Sequence, residues 1–169
     1  QVMDAVAGVG CAILEIGEDA SLPLDARLER YRQAMDSARE RMPDAPIFEY
    51  RSMVAEVFLR MDGVQRELAA LDPAARSRTL AHIRRELGFD DEQIARMEAI
   101  DARREARWQN GLAYMQERAR VAATFEGDAL ETELRALRDE YFADEAPTIE
   151  AEERDGFFRF ERPRIYGRN

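Results

Sequence analysis

The chain has 169 residues with 35 Asp and Glu against 25 Lys and Arg, a formal net charge of −10. With 46% hydrophobic and 36% charged residues, it is too apolar for a disordered chain and too charged for an integral membrane protein. What remains is a soluble helical protein of one domain with appendages. Every basic residue is Arg, a background that also favours bidentate pairing with carboxylates.

Helical periodicity begins at once. Val2, Val6, Val9, Ile13 and Ile16 are spaced 4,3,4,3 and place one apolar face on a first helix, despite Gly8 and Gly10. No run reaches the ~18 apolar residues of a membrane span. Cys11 has no partner for an intramolecular disulfide and reads as a buried structural thiol. Gly8-Val9-Gly10-Cys11 does not make a lipobox, because no basic stretch precedes it and Asp4 interrupts the apolar run. Since Gln1 is not a natural start, an anchor upstream is expected to have been removed.

After Ser21-Leu22-Pro23, a second stripe of Leu24, Leu28, Tyr31, Met35, Ala38 and Met42 runs until Pro43 and Pro46. A third follows without a break: Ile47, Tyr50, Val54, Val57, Met61, Val64, Leu68 and Leu71. Its strict alternation of 3 and 4 commits one seam to a partner helix. Asp72-Pro73 supplies an N-cap and an N1 proline for a fourth helix carrying Leu80, Ile83 and Leu87, with Gly88 at its C′ position.

Asp90 or Asp91 caps a fifth helix that meets no breaker before Gly127, although Asn110-Gly111 marks a candidate kink. Its stripe includes Ile94, Met97, Trp108, Leu112, Met115, Ala119 and Ala122. A helix over 91–125 is about 50 Å long at 1.5 Å per residue, whereas a compact domain of this length has a radius near ~15 Å. The expectation is therefore an all-α, elongated, open array of six or seven helices without a sheet.

A sixth helix carries Leu130, Leu134, Leu137 and Tyr141, and Ala146-Pro147 opens a seventh around Ile149. Leu80–Glu92 and Leu134–Glu145 resemble each other as helix, Phe corner, helix, with Phe89 and Phe142 expected to plug the joints. The organisation expected is an N-terminal segment 1–71, an extended segment 72–156 and a basic aromatic tail 157–169. That tail sets four Arg and four aromatics on an acidic body and is expected to fold back on Glu150–Asp155 or to reach a partner.

The catalytic inventory is nearly empty. His82 is the only histidine, no Cys stands near it, and no Ser lies in a nucleophile-elbow context. Glu150, Glu152, Glu153 and Asp155 read as an Arg-pairing face before they read as a cation site. No enzyme, metal, cofactor or nucleic-acid partner is expected.

Between residues 72 and 155 the sequence carries Arg84-Arg85-Glu86-Leu87-Gly88-Phe89-Asp90-Asp91-Glu92, Arg96-Met97-Glu98-Ala99-Ile100-Asp101, Trp108-Gln109, Tyr114-Met115-Gln116-Glu117-Arg118-Ala119-Arg120, Leu137-Arg138 and Tyr141-Phe142. This pattern resembles the C-terminal half of the bacterial lipase chaperones, the lipase-specific foldases. Phe48-Glu49-Tyr50 is similar to their N-terminal F-D-Y signature, without the L-S-A-x-G-E that follows it there. The resemblance implies a periplasmic, inner-membrane-tethered steric chaperone that wraps a secreted lipase-type hydrolase in a 1:1 complex. Phe89, Trp108, Tyr114, Arg118, Tyr141, Phe142, Phe158, Phe160, Arg162 and Tyr166 are the expected partner-binding residues. The alternative is a generic helical adaptor or dimerising coiled-coil scaffold, which the heptad-like seams of the first three helices serve equally well.

Overall fold

The computed structural model describes the backbone of residues 2–168 and the side chains of residues 7–168. Val2 and Val6 of the first stripe and Asn169 of the tail lie outside the described side chains. Among the described residues the protein is all-α, with no strand and a long helix where the sequence predicts one. The helices are α1 (Val2–Glu18), α2 (Leu24–Arg41), α3 (Arg51–Leu59), α4 (Asp62–Ala70), α5 (Pro73–Glu86), α6 (Asp91–Thr124), α7 (Gly127–Phe142) and α8 (Ala146–Arg154). They divide into two compact units, Gln1–Ala99 with Ile165–Asn169, and Ile100–Arg164. These divisions fall inside α6 and inside the tail rather than at 71/72 and 156/157.

The first unit closes around Ile16, Leu28, Tyr31, Met35, Val54, Phe58, Leu59, Met61, Val64, Leu68, Leu80 and Ile83. Tyr31 packs on Phe58 at 5.2 Å between ring centroids and donates its hydroxyl to the carbonyl oxygen of Val54 at 2.6 Å. The core therefore accepts a polar tip only because that tip is satisfied.

One predicted helix is two. The seam expected to run from Ile47 to Leu71 is interrupted between Leu59 and Asp62, where Met61 is extended (φ −62°, ψ 130°). The physical reason is phase. α3 buries Val54, Ala55, Phe58 and Leu59, whereas α4 buries Val64 and Leu68. The bend lets both sets face one core, with Met61 buried between them. Tyr50, expected on the seam, stands exposed at the N-cap of α3. Gln65 donates to the carbonyl of Leu59 at 2.6 Å and so satisfies a group freed by the bend.

The helix starts follow the sequence closely. Asp72 accepts from the backbone N–H of Ala75 at 2.8 Å, with Pro73 opening α5. Asp90 caps α6 reciprocally with Gln93: the Asp90 carboxylate accepts from Gln93 N at 2.8 Å, and the Gln93 side chain accepts from Asp90 N at 3.0 Å. Gly88 ends the α5 corner at φ +92°, a conformation that L side chains rarely adopt.

The two Phe corners are different turns. Phe89 follows its glycine and is buried with Ala55 and Ile94. At the second corner the positive φ falls after the Phe, on Ala143 at +45°.

α6 is continuous through Asn110-Gly111, so that pair does not interrupt it. Gly111 is buried for another reason, because the Phe160 ring occupies the place of its missing Cβ.

Candidate protein-binding surface

The second unit is built on rings. Tyr114, Ile149, Phe158 and Phe160 form its buried centre, with Trp108, Met115, Leu137, Tyr141 and Phe142 packed around them. Tyr114 meets Phe142 edge-on at 4.8 Å, and Phe142 stacks on Phe160 at 5.9 Å. Trp108 tilts against Phe160 at 5.5 Å under the Arg164 guanidinium, which pairs with Glu105 at 2.7 Å. Such edge-on and offset contacts add to plain area burial.

At the edge of this cluster lies a buried charge group. Glu153 accepts from the Tyr114 hydroxyl at 2.6 Å and from Arg138 Nε at 2.8 Å, while Arg118 Nε stands 3.0 Å from it. The side chain of Glu153 is only 4% exposed and that of Arg138 9%. Burial, then the adjacent Glu153 carboxylate, push the Tyr114 hydroxyl well above the usual phenol range. With its lone pairs directed at two guanidiniums and a phenol, Glu153 holds α6, α7 and α8 together and is not placed to activate a substrate.

The tail folds back on the acidic run, one of the two outcomes its charge predicts. Arg159 forks onto Glu152, with Nε 3.0 Å from both carboxylate oxygens, and reaches Glu145 at 3.0 Å. Hydrogen bonding from Arg159 holds the Glu152 carboxyl below its ordinary value against the opposing effect of burial.

This arrangement corrects most of the expected partner-binding residues. Phe89, Tyr114, Phe158 and Phe160 are buried, and Trp108, Tyr141 and Phe142 are half-buried in the same aromatic packing. Arg118 is engaged by Glu153. Tyr166 is held within the first unit by Gln65 and Arg76. Among the ten, Arg162 alone is exposed, donating to the carbonyl of Phe157 with its guanidinium 5.7 Å from that ring. Aromatic residues at helical spacing satisfied their own core first, the ordinary destination of large apolar side chains.

The uncovered apolar surface lies elsewhere. Counting from Gly111 and Tyr114, the inward face of α6 continues through Arg118 to Val121, Ala122 and Phe125. Ala122 and Phe125 are exposed there, as are Leu112 and Ala119 of the predicted stripe. Next to this end of α6, α7 presents Glu126, Asp128, Glu131 and Glu133 to solvent. A short apolar strip beside carboxylates suits a partner carrying an apolar contact with basic residues around it. Nothing in its residue types singled it out from a core seam; only the absence of a covering element does.

Cys11 is exposed rather than buried, because it lies on the face of α1 opposite Val9, Ile13 and Ile16. His82 is exposed with Nε2 3.3 Å from Asp25. Among the described residues, no group of three or more His, Cys, Asp or Glu is placed to hold a metal ion, and no helix is long and apolar enough to cross a membrane. No family model, curated protein or solved structure matches the chain.

Proposed function

We propose that this protein is a non-catalytic helical protein that wraps a partner, a steric chaperone assisting the folding or secretion of a lipase-type hydrolase in the periplasm. The observation that carries the reading is the uncovered continuation of the α6 inward face at Ala122 and Phe125, beside the exposed carboxylates of α7. A helix that leaves its own apolar face without an intramolecular cover is suited to meet another protein. The similarity of residues 84–142 to the lipase foldases supplies the class of client.

The test is refolding. A denatured secreted lipase encoded beside this chain is diluted with and without it, and recovered esterase activity and complex mass are measured. The expected result is a 1:1 complex with raised recovery, and Phe125→Asp weakens both while shifting stability by no more than roughly 0.5 kcal/mol, as surface substitutions do. Neither complex nor recovery with the unaltered chain overturns the reading.

A helical adaptor that self-associates is the second reading. It draws on the outer face of α1, where Leu14 is 61% exposed next to exposed Cys11. Against it, the seams that would form a coiled coil are occupied from within the first unit by Ile16, Leu28, Met35, Val54 and Val64. Self-association without a client complex is its distinguishing result.

A further inference from the structure

The segment Tyr166–Arg168 is held in the first unit the way a peptide ligand is held. On α4, the Gln65 side chain makes both backbone bonds to one residue: Tyr166 N donates to its Oε1 at 2.8 Å, and its Nε2 donates to Tyr166 O at 3.1 Å. These are the two bonds that a residue on an adjacent strand would make. The Arg76 guanidinium lies 4.0 Å from the Tyr166 ring centroid, and its own direction is fixed by donation to the carbonyls of Leu68 and Leu71, each at 2.8 Å.

The next two positions are read as tightly. Gly167 has φ +71°, and a Cβ there would overlap Leu80. Its carbonyl accepts from the buried Arg84 at 3.3 Å. Arg168 Nε stands 3.3 Å from Glu56. Side chains of α3, α4 and α5 thus select an aromatic, a glycine and an arginine in sequence.

The resident segment does not fill the site. A cavity of 190 Å³ remains beside Gly167 and Arg168, lined also by Ser52, Ala55, Phe89 and Met97. A second copy of the chain would bring the same segment and leave the same space, and two copies would each bring a net charge of −10.

We propose that this groove is a recognition site for an extended aromatic–glycine–arginine segment of a partner protein, with residues 166–168 as its resident competitor. The assignment is independent of the chaperone reading. Because the resident segment is tethered, it competes at high effective concentration, and the partner's apparent affinity is reduced by the fraction of time the groove is occupied.

The probe is the capped peptide Pro-Arg-Ile-Tyr-Gly-Arg, residues 163–168, added to the full chain. In the double variant Tyr166→Ala, Gly167→Ala the resident segment is weakened and the groove is intact, so the peptide binds at least tenfold tighter than to the unaltered chain. Adding Gln65→Ala removes that gain, and a peptide with Ala in place of Gly does not bind. If the double variant loses helix content, the measurement moves to the unaltered chain, where excess peptide speeds amide hydrogen exchange at Tyr166. Equal binding by unaltered and double-variant chains, equal binding of the Gly and Ala peptides, unchanged exchange at Tyr166, or dimers that form through this segment would each overturn the proposal.

Discussion

The ring of Phe160 rests on the Cα of Gly111, where any Cβ would overlap it. A glycine in mid-helix ordinarily costs about 0.5–1 kcal/mol against alanine. Here the missing methyl admits a ring that also touches Trp108, Phe142 and Phe158. Gly111→Ala is therefore expected to destabilise despite its better helix propensity, by about 1–3 kcal/mol, the usual range for overpacking. Phe160→Ala should cost about 3–5 kcal/mol. Urea midpoints decide, and a stabilised Gly111→Ala would show that the ring does not need this seat.

Arg27 and Gly63 show the same device with a cation. Arg27 is fully buried without an acidic partner, donating to the carbonyls of Ile16, Gly17, Asp19 and Leu22 around the end of α1. A Cβ on Gly63 would stand 2.5 Å from its Nη2. Arg27→Met leaves those carbonyls without their donor and should cost about 2–4 kcal/mol, from the strength of charged hydrogen bonds and the penalty for unpaired buried groups. Arg27→Lys should recover only part, since an ammonium lacks the planar fork. Hydrogen exchange should quicken across α1 in both variants. Protection equal to that of the unaltered chain would contradict the role given to Arg27.

Buried and exposed ion pairs should separate cleanly. Removing the charge of Glu153 in Glu153→Gln strands Arg138 and should cost about 3–5 kcal/mol. Glu92 pairs with Arg96 at 2.9 Å with both side chains largely exposed, so Glu92→Gln should cost less than about 1 kcal/mol. Comparable losses from the two substitutions, measured by denaturation, would refute the ranking.

Acid should loosen the tail. The Glu152 carboxyl titrates below its ordinary value of 4.5 because Arg159 hydrogen-bonds its ionised form. A depressed folded-state value means that the contribution is complete above 4.5 and is lost as pH falls through the folded value. Stability measured from pH 6 downward should drop in that window, and Arg159→Gln should flatten this component while lowering stability at neutral pH. An unaltered acid limb in Arg159→Gln would assign the acid sensitivity to other carboxylates.

Helix class, most helix ends and the long α6 were legible in the sequence because caps, prolines and the 3.6 period are local signals. Asp72-Pro73, Asp90 and Gly88 act through neighbours within a few residues, and each functions in the fold as it reads in the chain. The break at Met61 was not legible, since a 3,4 alternation continues through it and only the shared core shows that Phe58 and Leu59 must turn inward. The site suffered from the same limit. Periodicity marks Trp108, Tyr114, Tyr141 and Phe142 as apolar-face residues but cannot say whether the cover comes from the same chain; the tail, through Phe158 and Phe160, provided it.

What the sequence determined by itself was therefore the set of elements and the signs of their charges. Charged residues four positions after a buried aliphatic, as Arg84 after Leu80, Arg138 after Leu134 and Glu153 after Ile149, already signalled buried ions. Which ion meets which, where Gly111 and Gly63 admit a close neighbour, and which stretch of α6 stays uncovered were decided only by tertiary structure. Those outcomes depend on distances between residues far apart in the chain, and a one-dimensional pattern carries no distance.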